Sequence, residues 1–166
     1  MPNLKLQVSR ALSVIPSQNT NIPMPNYIVP FSSITGALTT NKLIDSTKNF
    51  SSVGTNPLNI QVGDIVYNTT TSTAAMVIKV DSATQLTLNA NIMASTNAYT
   101  LYLGTNIPGS IEPCVLYVGT GGDLDITTAG GDVVTFVGIA SGTFLPVQVI
   151  RVNSVGDSTA NIIALW

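Results

Sequence analysis

The sequence of 166 residues contains no histidine and a single cysteine, Cys114. The missing histidine excludes Ser–His–Asp and Cys–His catalysis and zinc sites with histidine ligands, whereas carboxylate-only and metal–carboxylate chemistry remain open. With one cysteine no intrachain disulfide can form. Cys114 lies in an apolar run, which is typical of a small core residue rather than a nucleophile. We therefore predict that the chain is not an enzyme, and we assign no catalytic, cofactor-binding or metal-ligating residue.

Charged residues are also scarce, at 8% of the chain, whereas globular proteins typically have about 25%. Hydrophobic residues make up 45%, so the composition is not that of a disordered chain. A surface with so few charges suits a protein that packs against neighbours, because the cores of interfaces are depleted in charge. The six basic residues are scattered along the sequence, which argues against a nucleic-acid partner.

Long apolar runs are absent as well, because no stretch approaches the roughly 20 residues that span a bilayer. The first residues lack the charged and apolar regions of a signal peptide. We therefore expect no membrane partner and expect the protein to be made in the cytoplasm of its host cell.

Short runs rich in β-branched and aromatic residues fill most of the sequence, separated by Gly, Asn, Asp and Ser clusters. The predicted strands are 65–67, 75–80, 85–88, 99–103, 115–118, 123–127, 133–137, 147–152 and 162–166. Helical periodicity is confined to a weak turn around 40–45. The fold class predicted is all-β.

Prolines divide the sequence into two β-units. Residues 1–27 supply an N-terminal arm and a first strand, residues 28–107 form an inserted Thr-rich β-module, and residues 108–166 complete the first unit. The prediction is a discontinuous β-sandwich or small barrel with a second β-module inserted, as chains tolerate insertion at surface turns.

Glycine and threonine clusters predict turns rather than ligand sites. Residues 119–122 are followed by acidic residues and a strand instead of a helix, so a hairpin turn is favoured over a phosphate loop. The Thr-rich run 68–73 predicts a polar hairpin. Asp123, Asp125 and Asp132 are interpreted as solvated turn residues, with a bound cation as the alternative. Pro146 is expected at the first position of a strand.

Several segments resemble the spike-base family of tailed phages and gene transfer agents. The C-terminal part of the resemblance is more specific than the middle module, and its stretch 116–136 begins with Leu-Tyr-Val-Gly-Thr-Gly-Gly-Asp. The other segments similar to this family are 10–17, 21–23, 140–152 and 162–166. The middle section, notably 62–69 and 81–88, is similar to a different module, which recurs in phage virion proteins. The family's domain joins its first strand directly to the Leu-Tyr-Val-Gly strand, whereas here residues 28–107 intervene. The resemblance implies a non-catalytic, symmetric head-decoration or spike-base subunit on the exterior of the phage head.

The N-terminal arm alternates apolar and polar residues, which favours either a strand pinned to its own domain or a strand added to a neighbour. The residues expected at subunit contacts are Leu4, Leu6, Val8, Gly130, Gly131, Phe144, Leu145, Pro146 and Trp166. The expected partners are the major capsid protein or other virion proteins and further copies of the chain, as a trimer or pentamer. The alternative function is a glycan- or receptor-binding adhesion module of a phage tail or head fibre.

Overall fold

The computed structural model describes residues 8–23, 27–31, 40–102, 104 and 112–166. This part of the chain is all-β, with two sheets of which one is a half-barrel, and the predicted fold class is confirmed. No helix in these ranges is long and apolar enough to cross a membrane.

Twelve strands make up the two sheets, and they are numbered here in chain order. They are β1 (Ala11–Ser13), β2 (Tyr27–Phe31), β3 (Lys42–Ile44), β4 (Ile65–Asn68), β5 (Thr73–Ser82), β6 (Gln85–Leu88), β7 (Tyr99–Tyr102), β8 (Cys114–Thr120), β9 (Gly122–Thr128), β10 (Val133–Ile139), β11 (Thr143–Val155) and β12 (Ala160–Leu165).

The chain divides into two compact units, each with one sheet. Unit 1 comprises residues 1–14 and 112–166, and unit 2 comprises residues 15–111. The boundaries predicted from the sequence lie at 27/28 and 107/108, so the structure assigns more of the N-terminal stretch to the second unit.

Unit 1 is a six-stranded antiparallel sheet with the order β1-β12-β8-β11-β9-β10. β11 is 13 residues long and pairs with β8 through its first half and with β9 through its second half. Buried side chains alternate with less buried ones along β8 and β12, as expected for strands with one covered face. The core of the unit includes Leu116, Val118, Leu124, Ile126, Leu145, Val149, Val152 and Ile162. Cys114 lies in the same core, where burial raises the pKa of its thiol to about 12.

The predicted hairpin turn at 119–122 is wrong. β8 and β9 do not pair with each other; they run in the same direction and both pair with β11. Gly121 stands at the junction between them, where a Cβ atom would lie 2.1 Å from the carbonyl oxygen of Ile139. The glycine therefore permits close approach of the β10–β11 turn rather than a chain reversal.

The position predicted for Pro146 is also wrong. The residue lies inside β11 rather than at the first position of a strand. The pairing of β11 with β8 changes register between Leu145 and Val149. Proline lacks a backbone N–H and cannot donate a hydrogen bond to a regular strand ladder. The strand tolerates it at position 146 because the pairing of β11 with β8 is already irregular there.

Unit 2 is a six-stranded sheet with the order β2-β7-β4-β5-β6-β3. The hairpin predicted for the Thr-rich run is confirmed, because Asn68 pairs with Thr73 across a tight turn between β4 and β5. The predicted helical turn at 40–45 is wrong, since Lys42–Ile44 form β3 and pair with β6. Leu43 is fully buried there, so packing determines the local structure.

A buried polar cluster lies in the core of unit 2. Asp45 and Tyr99 are both fully buried, and the Tyr99 hydroxyl donates to Asp45 Oδ2 at 2.8 Å. Thr47 donates to Asp45 Oδ1 from its backbone N–H at 2.9 Å and from its hydroxyl at 2.6 Å. Burial and the Asp45 hydrogen bond raise the pKa of Tyr99, which keeps the phenol protonated and donating.

Two lysines of unit 2 share one carboxylate. Asp81 accepts from Lys42 at 2.7 Å and pairs with Lys79 at 3.0 Å. The hydrogen bond from Lys42, with those from Thr87 and Lys79, holds the pKa of Asp81 well below its usual value. These cations are therefore partly neutralised within their own unit.

Candidate interface

Strand β10 forms one edge of the sheet of unit 1 and is the most exposed apolar strand in the described part of that unit. Among the described residues it pairs with β9 alone. Val133 is 65% exposed, Val134 39% and Val137 78%. We call the seven residues 133–139 the β10 edge.

Both faces of the β10 edge are open. Successive residues of a strand point to opposite faces of the sheet. Val133 and Val134 are neighbours in sequence and are both exposed, so neither face is covered within unit 1. None of the seven residues of β10 is buried. A strand of this composition is usually a core element, yet the described residues leave β10 unburied.

The β10 edge also has few of the features that keep edge strands from pairing. Natural edges are usually protected by lysines, prolines, bulges or a very short length. β10 contains neither charge nor proline, although its pairing with β9 has one irregularity between Phe136 and Ile139. Alternate backbone N–H and C=O groups of an edge strand point away from the sheet and can bind a further strand.

Three carboxylates flank the β10 edge. Asp123 Oδ1 accepts from the backbone N–H of Gly138 at 2.9 Å, and Asp125 lies within 3.5 Å of the Thr135 hydroxyl. Asp132 precedes the strand and is exposed. In the described ranges no group of three or more Cys, Asp or Glu side chains is arranged to hold a metal ion. The edge therefore presents apolar side chains between acidic groups.

The residues expected at subunit contacts are spread over unit 1. Leu4 and Leu6 lie outside the described residues. Val8 is 47% exposed at the other end of the sheet, and Gly130 and Gly131 form the exposed turn between β9 and β10. That these surface positions lie at subunit contacts stays a prediction, because only contacts with a second molecule would test it.

The remaining expected contacts lie around β11 and at Trp166. Phe144 is 59% exposed and stacks at an angle on Tyr117, with 5.1 Å between the ring centroids. Pro146 is exposed, but Leu145 is buried in the core of unit 1. Trp166 is partly buried, and its indole N–H donates to the carbonyl oxygen of Glu112 at 2.9 Å.

Val133, Val134 and Val137 were not predicted as surface residues. They were assigned to a strand, and the strand is present, but an apolar run alone does not show which side is covered. The one available signal was the incomplete alternation of apolar residues, which indicates two covered faces.

Unit 2 has a polar pocket of about 480 Å³ formed by the loop that follows β3. Six of its seven lining residues have a hydroxyl, amide or ammonium side chain. The lining residues are Ser46, Thr47, Lys48, Asn49, Thr55, Asn56 and Leu58. The Asn49 side chain holds the loop in shape, because it donates to the carbonyl oxygens of Val53 and Thr55 and accepts from Ser51.

Comparison with protein-family models, with curated proteins and with solved structures found no match to this chain.

Proposed function

We propose that this chain is a non-enzymatic structural subunit of a tailed-phage-like particle, a capsid decoration, cement or head spike-base protein. Its work is mechanical: it stabilises the shell or anchors a spike by burying surface against copies of itself and against the major capsid protein. The observation that carries the proposal is the β10 edge, an uncharged apolar strand that is open on both faces. Such a strand favours a role in which neighbouring subunits are always present.

The composition and the family resemblance support the same role. Charged residues make up only 8% of the chain, as in the core of an interface. The spike-base-like stretch 116–136 includes β9 and the first half of β10. Four of the seven residues of the β10 edge, 133–136, belong to this stretch.

The oligomeric mass of the purified protein and its presence in particles test this function. We expect a discrete homo-oligomer by analytical ultracentrifugation, and we expect mass spectrometry of purified virions to detect the chain. Cryo-imaging of those particles should locate it on the exterior of the head. A monomer at micromolar concentration that is missing from virions would contradict the proposal.

Substituting Val133 with lysine should weaken self-association at least tenfold, which corresponds to about 1.4 kcal/mol. A lysine on an edge strand must be desolvated when another strand pairs with it. Val62→Lys is the matched control, because Val62 is 64% exposed and Val133 65%, and Val62 belongs to unit 2. Equal weakening by both substitutions, measured by sedimentation equilibrium, would mean that the β10 edge has no special role.

Glycan binding is the second candidate function, and the polar pocket of unit 2 favours it. Sugar hydroxyls form hydrogen bonds with hydroxyl and amide groups, and acidic sugars pair with ammonium groups. If the pocket binds glycan, the full chain should show saturable binding on a glycan array. Lys48→Ala should then reduce binding at least tenfold, whereas Lys79→Ala, outside the pocket, should not. An array without saturable binding would remove this candidate.

A further inference from the structure

We infer that the β10 edge receives residues 4–8 of a second copy of this chain as an added strand, so that subunits join head to tail. The inference rests on the proposed function, since it names the partner of the same surface. Three observations support it: the position of the two sheet edges, the sequence pattern of residues 4–8, and the charges of that segment and of the side chains beside β10.

The two open edges of unit 1 lie at opposite ends of one sheet. In the order β1-β12-β8-β11-β9-β10, β1 forms one edge and β10 the other. Residues 4–8 directly precede β1, so each subunit would carry a donor segment at one edge and an acceptor strand at the other. An interface between two different surfaces of the same chain repeats from copy to copy and closes into a ring when the rotation permits.

Residues 4–8 have the pattern of a strand with one apolar face. Leu4, Leu6 and Val8 alternate with Lys5 and Gln7. Val8, the one residue of this segment that the structure describes, is 47% exposed, so about half of its surface is left uncovered. Five residues fit within the seven-residue length of β10.

Charge favours the same pairing. Lys5 is the single charged residue of the segment, and β10 itself carries no charge. The acidic side chains beside β10 are those of Asp123, Asp125 and Asp132, which contact β10 or the turn that precedes it. A lysine on the added strand would lie two strand spacings, about 10 Å, from the carboxylates of β9, which its long side chain can approach, whereas a second copy of β10 would bring further carboxylates to this edge.

The length of the segment favours a second copy over the chain's own β10. Measured along the sheet, β1 and β10 are five strand spacings apart, or about 24 Å at about 4.8 Å each. The stretch from Ala11 back to Leu6 extends over about 17 Å. It is therefore too short to follow its own sheet to β10 and pair there.

Disulfide trapping between two differently tagged copies tests the inference. One copy carries Leu6→Cys, and the other carries Val134→Cys or Thr135→Cys, which point to opposite faces of β10. Cys114 does not compete, because it is 1% exposed and burial raises the pKa of its thiol to about 12. We expect an interchain disulfide in one of the two mixtures, with a yield at least tenfold above that of either copy alone.

The other outcomes overturn the inference. A disulfide between two copies of Thr135→Cys would show that β10 pairs with β10. A chain carrying Leu6→Cys with Thr135→Cys or with Val134→Cys that closes only on itself would show that the segment pairs within its own subunit. No disulfide in any mixture would likewise exclude the segment as the partner.

Deletion of residues 2–8 separates failure of the inference from failure of the proposed function. We expect the shortened chain to remain folded by circular dichroism and to associate at least tenfold more weakly. If it assembles normally and still enters particles, the inference is wrong and the structural function stands. If the full-length chain is itself monomeric and is missing from particles, the proposed function fails as well.

Discussion

Replacing Gly121 with alanine should lower the free energy of unfolding of unit 1 by about 3 kcal/mol or more, at the upper end for a single substitution. The new Cβ would lie 2.1 Å from the carbonyl oxygen of Ile139 and 2.7 Å from the backbone nitrogen of Ser141. Both are backbone atoms of the β10–β11 connection, so neither can move without displacing a strand. The measurement is chemical unfolding followed by the fluorescence of Trp166, the single tryptophan of the chain and a residue of unit 1.

Gly130→Ala is the matched control in the same sheet. A Cβ at Gly130 would lie 3.3 Å from the Asp132 carboxylate and 3.6 Å from the Thr128 hydroxyl, and the carboxylate is the end of a side chain that can rotate away. We expect a change within about 0.5 kcal/mol, as for ordinary surface substitutions. If Gly121→Ala is as mild as Gly130→Ala, the close approach of the β8–β9 junction to the β10–β11 turn is not part of the fold.

Replacing Asp45 with alanine should destabilise unit 2 by about 3 kcal/mol, because it leaves buried donors without their acceptor. The Tyr99 hydroxyl and the Thr47 hydroxyl and backbone N–H all donate to this carboxylate. Hydrogen exchange measured by mass spectrometry reports each unit separately in the intact chain. Protection should fall in β4 and β7 and remain unchanged in the strands of unit 1.

Two further variants separate the parts of this cluster. Tyr99→Phe removes one donor and leaves the Asp45 carboxylate with Thr47, so it should cost about 1 to 1.5 kcal/mol. Asp45→Asn keeps a side-chain oxygen as an acceptor and should lie between the wild type and Asp45→Ala. Should Asp45→Ala cost under 1 kcal/mol, the carboxylate is not the organising group of this core.

The strands were predictable because their residues fit a pleated sheet whatever surrounds them. The runs that became β4, β6, β8, β10 and β12 are rich in β-branched and aromatic residues and end at turn-forming residues. β3 was missed because Lys42–Ile44 is too short for its pattern to differ from a helical turn. Leu43 is nevertheless fully buried, and the pairing with β6 supplies what the local sequence lacks.

The candidate interface was only partly predictable. Val8, Phe144 and Pro146 were expected at the surface and are exposed, whereas Leu145, selected from the same loop, is buried. In a strand, neighbouring residues point to opposite faces, so a shift of one residue exchanges core and surface. Sequence alone did not give that register, because an apolar pattern does not show which face meets the core.

The amino-acid sequence by itself determined that this chain is all-β, lacks histidine-based chemistry and has too few charges to cover its surface with ions. These properties follow from local preferences and from which functional groups are present. Only the tertiary structure decided which strands are neighbours, because pairing joins residues far apart in the chain. β8 and β9 look like a hairpin in the sequence, yet β11 pairs with both, and β10 is left at the edge with its valines uncovered.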